Sequence, residues 1–245
     1  MRAVVVLSGD LLDDRAARIW LEEAAWVVCA DGGARHLRRL DRLPDLVLGD
    51  LDSAMPADLD WMKSQNVPVT QYPVDKDATD SELAVAAAVD FLSRQPGGID
   101  RQSHEVVVLG AFGSRPDHVL ANQLMAAHLA DQGWRLILTD GINTLYTLAG
   151  GQILEIACPG PVDRPGLPAS VKTWALSVIP ISPEVIGLTD NDGLIWHLKH
   201  TTLTLGTTRA VSNRFADPAQ TGRTLCPVTL SLEKGIALVI VTPED

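Results

Sequence analysis

The chain has 245 residues, 46% hydrophobic and 21% charged, which suits one large domain or two modest ones with a packed core and argues against general disorder. Its net charge of −11 argues against a nucleic-acid surface, because phosphate contact needs a basic patch. That charge leaves room for a nucleotide held through a divalent cation, and it suits a cationic second substrate.

The first half alternates strand and helix. Arg2–Leu7 reads as a buried strand, and Leu12–Leu21 as a helix. Trp26–Ala30 is a second strand, followed by a helix from Gly33 to about Leu40. Asp45–Leu48 is a third strand, and Pro56 suits the first turn of a helix reaching Gln65. Val67–Gln71 is a short strand. Thr79–Leu92 is a helix whose opening, Thr79-Asp80-Ser81-Glu82, has capping-box spacing. Its apolar residues at 83–89 run all round, which predicts deep packing. Glu105–Leu109 is a strand, Pro116–Ala130 a helix and Arg135–Thr139 a strand. This order predicts a doubly wound, mostly parallel α/β sheet over residues 1–149.

Composition changes near Gly150-Gly151, and CPGPVDRPGLPAS reads as a loop. Beyond it the helical period is lost. Ala175–Ile179, Leu194–Leu198, Thr201–Leu205, Cys226–Leu232 and Ile236–Val241 read as strands, with Lys234-Gly235 as a hairpin turn. Residues 150–245 are therefore expected to form an antiparallel β-sandwich or partial barrel. Cys29, Cys158 and Cys226 are far apart and lack metal spacing, so they read as reduced, buried thiols. The N-terminal apolar run is too short for a secretory signal, and no stretch approaches a membrane span. A cytoplasmic protein with no membrane partner is expected.

Carboxylates gather where the predicted strands end, which is where an open parallel sheet forms its ligand crevice. They are Asp31, Asp50, Asp52, Asp77, Asp80 and Asp117, with Lys76 and Arg115 among them. Together they suggest a divalent metal holding a polyphosphate. In Gly49-Asp50-Leu51-Asp52-Ser53, alternate residues of an extended segment point the same way, so both carboxylates can reach one ion. The competing reading is a turn in which Asp52 bonds its own backbone. Asp80 is either a metal ligand or an anion stabilising a helix N-terminus. Lys76 is a candidate phosphate contact, and Asp75 reads as part of a solvated charge run. Gly110–His118 is a glycine-containing loop opening a helix, with Arg115 as a forked cation. Ser114 and Asp117 also have capping-box spacing, and His118 reads as structural or as a base. Asp31, before Gly32-Gly33, is a ligand contact or an N-cap. Trp196 is either core, beside Leu194 and Leu198, or a face for a flat cationic ring.

Taken in order, ADGG at 30–33, GDLDS at 49–53, KDATD at 76–80 and SRPDH at 114–118 resemble the motifs of the thiamine pyrophosphokinase family. Ser177–Pro180, Gly193–Leu198 and Ser212-Asn213 extend the resemblance over nearly the whole chain. Family loops often read Gly-Gly-Arg where this chain has Gly113-Ser114-Arg115. The resemblance implies an α/β domain binding nucleotide and Mg²⁺, a β domain binding thiamine, and a homodimer with a shared active site. It implies transfer of the pyrophosphoryl group of ATP to the thiamine hydroxyl, giving thiamine diphosphate and AMP. Asp50, Asp52 and Asp80 would hold Mg²⁺. Asp31, Lys76, Thr79 and Arg115 would lie along ATP, and Asp117 near the substrate alcohol. Trp196, Ser212 and Asn213 would hold thiamine. Two rivals are a diphosphokinase for another alcohol, such as a hydroxymethyl pterin, and a nucleotide or thiamine sensor without turnover.

Overall fold

The computed structural model describes residues 1–95, 101–159, 173–216 and 227–244. The chain divides into two compact units, Met1–Leu129 with Trp134–Gly141, and Ala130–Gly133 with Ile142–Asp245. The first is α/β and the second is built of antiparallel sheets.

The first unit runs β1 (Arg2–Val6), α1 (Asp14–Glu22), β2 (Trp26–Ala30), a 3-10 turn (Asp31–Gly33), α2 (Ala34–Arg39), β3 (Leu46–Gly49) and α3 (Pro56–Ser64). It continues with β4 (Val69–Gln71), α4 (Asp80–Ser93), β5 (Glu105–Leu109), α5 (Pro116–Asp131) and β6 (Arg135–Thr139). Its strands lie in the order β6-β5-β1-β2-β3-β4, all parallel. After their first residue, β1, β2, β5 and β6 are buried throughout. Sheets covered on both faces select such unbroken Val/Leu runs. Strand order reverses between β1 and β5, and that reversal opens a crevice at the strands' carboxyl ends.

Helix starts follow local chemistry. The Asp13 carboxylate accepts from the N–H groups of Arg15 and Ala16, and the Thr79 hydroxyl accepts from the Glu82 N–H. Pro56 and Pro116 open α3 and α5. The deep packing expected for α4 is one-sided. Ala84, Val85, Ala88 and Leu92 are buried, but Ala86 is exposed. Alanine on the outer face serves helix propensity, which needs no burial.

The second unit contains β7 (Thr144–Ala149), β8 (Ile153–Ile156), β9 (Thr173–Pro180), β10 (Glu184–Asp190), β11 (Thr201–Thr204), β12 (Asn213–Arg214), β13 (Val228–Ser231) and β14 (Ile236–Glu244). One group pairs in the order β12-β9-β14-β7 and a second sheet in the order β11-β10-β13-β8. Leu176, Val178, Val185, Leu188, Leu230 and Val239 lie in their shared core.

Three expectations change here. Lys234-Gly235 is not a hairpin turn between paired strands, because β13 pairs β8 and β10 while β14 pairs β7 and β9. The chain crosses there from one sheet to the other. Leu194–Leu198 is not a strand; side chains, rather than a neighbouring strand, take up most of its N–H groups. Cys158 is disulfide-bonded, which overturns the reduced-thiol expectation for it. Separation along the chain does not measure separation in a sandwich, where strands remote in sequence pair. Cys29 is free and buried, and burial pushes its thiol pKa up. Cys226 and all of the Pro/Gly-rich loop after Pro159, as far as Ser170, lie outside the described residues. Among the described residues no helix is long and apolar enough to cross a membrane.

Candidate active site

The carboxylates converge around Gly49, the last residue of β3. Its φ is +137°, and a Cβ built there would lie 3.2 Å from both Asp31 Cβ and Asp80 Oδ1. Only glycine lets those two residues close over the strand end. Asp31 begins its 3-10 turn at φ +43°, and Leu51 sits at φ +68°. A branched, non-glycine residue in this left-handed region stores of order 1 kcal/mol. The segment is thus a tight turn rather than the extended stretch expected for residues 50–52. The Asp52 N–H donates to Asp50 Oδ1 at 3.2 Å, and Ser53 Oγ donates to Asp52 Oδ1 at 3.0 Å. The two carboxylates still converge, but by the turn.

Asp31, Asp50 and Asp52 each offer an oxygen, and these lie within 4.8 Å of one another. Asp80 is joined to them through Lys76, whose Nζ is 2.9 Å from Asp50 Oδ2 and 3.3 Å from Asp80 Oδ1. The Lys76 ammonium holds the Asp50 carboxyl below the usual range. Burial pushes the Asp80 carboxyl up, against the pull of the same lysine. Among the described residues Asp31 Oδ1 and Asp80 Oδ1 are buried without a hydrogen-bond partner, so the Lys76–Asp80 contact is an ion pair lacking hydrogen-bond geometry. Four carboxylates gathered at one strand end, two of them paired with a single ammonium and two with buried oxygens that no hydrogen bond satisfies among the described residues, fit a hard divalent cation. Thr79 caps α4 beside this group, and Asp75 and Asp77 are exposed.

A cavity of about 290 Å³ adjoins the carboxylates at the β1/β5 reversal. Ser8 and Gly9 line it after β1, Gly110 to Arg115 after β5, and His118 and Asn122 from α5. Ser53 and Ser81, neighbours of Asp52 and Asp80, line it too. The Gly9 N–H donates to Gly110 O at 3.0 Å and the Asp10 N–H to Phe112 O at 2.6 Å. A Cβ at Gly9 would lie 2.0 Å from Phe112 O. Asn122 Nδ2 donates to Ala111 O at 3.1 Å and anchors the loop. Arg35 donates to Ser8 O at the same strand end. Ser114 takes its place in the lining despite its Cβ.

Arg115 and Asp117 form a forked, exposed pair, with Nη2–Oδ2 at 2.6 Å and Nε–Oδ1 at 3.3 Å. The Arg115 guanidinium holds the Asp117 carboxyl down, at about 2. Ser8, Gly9 and Asn122 are absent from the residues singled out by sequence. Gly9 repeats the strand-then-glycine pattern seen at Gly32, Gly49 and Gly110, a signal able to find it.

In the second unit Trp196 is 57% exposed, while Leu194 and Leu198 are buried. The core alternative for Trp196 therefore fails. Asn213 is buried, its Oδ1 accepting from the Trp196 N–H at 3.1 Å and its Nδ2 donating to Trp196 O at 2.7 Å. Ser212, at φ +56°, donates its N–H to Ser177 Oγ at 3.0 Å.

Comparison with known proteins agrees with this architecture. Residues 17–138 match the family model described as "Thiamin pyrophosphokinase, catalytic domain". Thiamine pyrophosphokinase 1 of Oryza sativa subsp. japonica is 27% identical over 227 residues, covering 86% of this chain and 79% of that protein. The solved thiamine pyrophosphokinase of Bacillus subtilis superposes with TM-score 0.76 at 24% identity, covering 100% of both chains. That of Candida albicans gives TM-score 0.71 at 17% identity, covering 100% of this chain and 90% of that one.

Proposed function

We infer that this chain, which belongs to the thiamine pyrophosphokinase family, transfers the pyrophosphoryl group of ATP to the hydroxyl of thiamine, giving thiamine diphosphate and AMP. The observation that carries this reading is the oxygen cluster of Asp31, Asp50 and Asp52 beside a glycine-lined cavity at the strand reversal. The thiamine hydroxyl attacks the β-phosphorus in line and AMP leaves, chemistry that depends on positioning and charge neutralisation.

Asp50, Asp52 and Asp80 would hold Mg²⁺, with Asp31 in the same oxygen cluster. When bound, that ion supplies charge neutralisation at the phosphate oxygens. Lys76 and Arg115 add fixed positive charge along the triphosphate, and Asp31 and Thr79 lie at the nucleotide. Trp196 is the thiamine contact, helped by Ser212 and Asn213, and its exposed indole suits a cationic ring. The family resemblance supports a homodimer with a shared active site, acting in the cytoplasm.

Asp117 orients the substrate hydroxyl. A carboxylate with a pKa of about 2 has little proton affinity, so it is a weak general base. Its folded pKa is depressed, so it stays ionised until the pH falls to about 2. Asp117→Asn is expected to lower kcat while leaving the neutral-range pH–rate profile unchanged in shape. Loss of an acidic limb near neutrality in that variant would restore Asp117 as a base.

Trp196→Ala is expected to weaken thiamine binding by about 2 kcal/mol, roughly 30-fold, with ATP binding unchanged. Calorimetric titration with each ligand checks this, and unchanged thiamine affinity would remove Trp196 from the site. The test of the whole reading is AMP formation from ATP and Mg²⁺, with thiamine, with a hydroxymethyl pterin and with neither. Thiamine-dependent AMP matched by thiamine diphosphate is the expected result. Folded protein that makes no AMP with thiamine overturns it, and the pterin arm then separates another alcohol from a sensor.

A further inference from the structure

We propose that Asp190 and Asn213 are positioning residues for Trp196, bracing residues 193–198 so that the indole faces outward to meet the substrate. The substrate in this statement rests on the thiamine reading above, while the brace rests on the hydrogen bonds alone.

Residues 194–198 leave the sheet, so their N–H groups need other acceptors. Leu194 donates to Asp190 Oδ2 at 3.3 Å and Leu198 to Asp190 Oδ1 at 2.7 Å. Ile195 donates to Arg214 O at 2.9 Å, and Trp196 to Asn213 Oδ1 at 3.1 Å. Three of these four bonds end on two side chains. The Asp190 N–H also donates to Leu198 O at 2.8 Å, and Asn213 Nδ2 returns to Trp196 O at 2.7 Å. The Asn213 amide thus closes on both polar backbone atoms of Trp196.

Burial explains why the brace sets the direction of the ring. Asp190 and Asn213 are 8% and 4% exposed. Leu194 and Leu198 are anchored in the sandwich core. Between those anchors Trp196 stands 57% exposed. Without the two side-chain acceptors, the buried N–H groups of 194 and 198 and the part-buried one of 196 would lose their partners, and the segment would have to move to find new ones.

Asp190, Asp192 and His197 also bring ligand atoms within 4.8 Å of one another. Both oxygens of Asp190 are already taken by the backbone, which favours a brace over a metal site. Asn213 Oδ1 also accepts from the Arg214 N–H at 2.8 Å. With its amide so engaged, Asn213 acts on substrate through Trp196 rather than by a contact of its own.

The test uses Asp190→Asn, Asn213→Ala and Asn213→Asp in the full chain. Asn213→Asp keeps acceptors for the Trp196 and Arg214 N–H groups but replaces the donation to Trp196 O with a carboxylate oxygen facing that carbonyl. Each variant is also made with Trp196→Phe, so that the Trp196 share of the fluorescence is obtained by difference. Asn213→Ala is expected to raise the thiamine KM about tenfold, or 1.4 kcal/mol. The kcat and the ATP KM should stay near wild type, while acrylamide quenching of the Trp196 share changes. Asn213→Asp, which breaks the same donation, should also raise the thiamine KM and change the Trp196 quenching, and it carries the test if Asn213→Ala does not fold. A raised thiamine KM with unchanged Trp196 quenching overturns the brace in favour of direct contact. Unchanged KM and quenching in folded variants overturn it outright. If wild-type protein forms no thiamine diphosphate, the functional reading falls, and altered Trp196 quenching in the variants still supports the brace.

Discussion

Asp52→Asn is expected to abolish turnover, lowering kcat by roughly 10³-fold, about 4 kcal/mol of transition-state stabilisation. The side chain is exposed and accepts only from Ser53 Oγ among the described residues. An amide fits the same space, so stability should change by less than about 0.5 kcal/mol. The loss falls on chemistry because an amide oxygen replaces one charge in the Asp31–Asp50–Asp52 oxygen cluster. Asp50 is less clean to replace, since it also holds Lys76 at 2.9 Å. The checks are kcat, a thermal melt and Mn²⁺ affinity measured without nucleotide. Substantial Mg²⁺-dependent turnover in Asp52→Asn would remove Asp52 from the metal set.

Gly9→Ala is expected to damage fold and nucleotide site together. The added Cβ would stand 2.0 Å from Phe112 O and 2.3 Å from Gly110 O. Both are backbone atoms, and they already accept from the Asp10 and Gly9 N–H groups. No side chain can swing aside, so the β1 and β5 ends must part. Overpacking of this kind together with a lost hydrogen bond costs about 3 kcal/mol. For a chain of this size that is roughly a 6–12 °C fall in melting temperature. ATP affinity should fall with it, because the parting strands wall the cavity. A wild-type melt with wild-type ATP binding would show that the strand ends tolerate separation.

Much of the first unit is legible in the amino-acid order alone. Its strands are buried on both faces, so Val/Leu runs mark β1, β2, β5 and β6 directly. Thr79 and Pro56 mark their helices because capping and fixed φ act within one turn of chain. The second unit is harder to read. Residues 194–198 carry the alternation of a strand, yet the side chains of Asp190 and Asn213 take up most of their N–H groups. Alternation reports which side chains are apolar, and Leu194 and Leu198 are indeed buried. It says nothing about which acceptors await the N–H groups between them.

The sequence by itself determined the α/β then β order, the family, and the carboxylates at the strand ends, because local periodicity and short motifs encode them. Only the tertiary structure decided how those carboxylates meet. Asp50 and Asp52 converge through a left-handed turn at Leu51, and Asp31 and Asp80 close over Gly49. It also decided that Gly9 belongs beside Phe112 and that Trp196 faces out. The Asp31–Gly49–Asp80 and Gly9–Phe112 approaches join separate strand ends, and strand pairing, rather than neighbourhood in the chain, sets those distances.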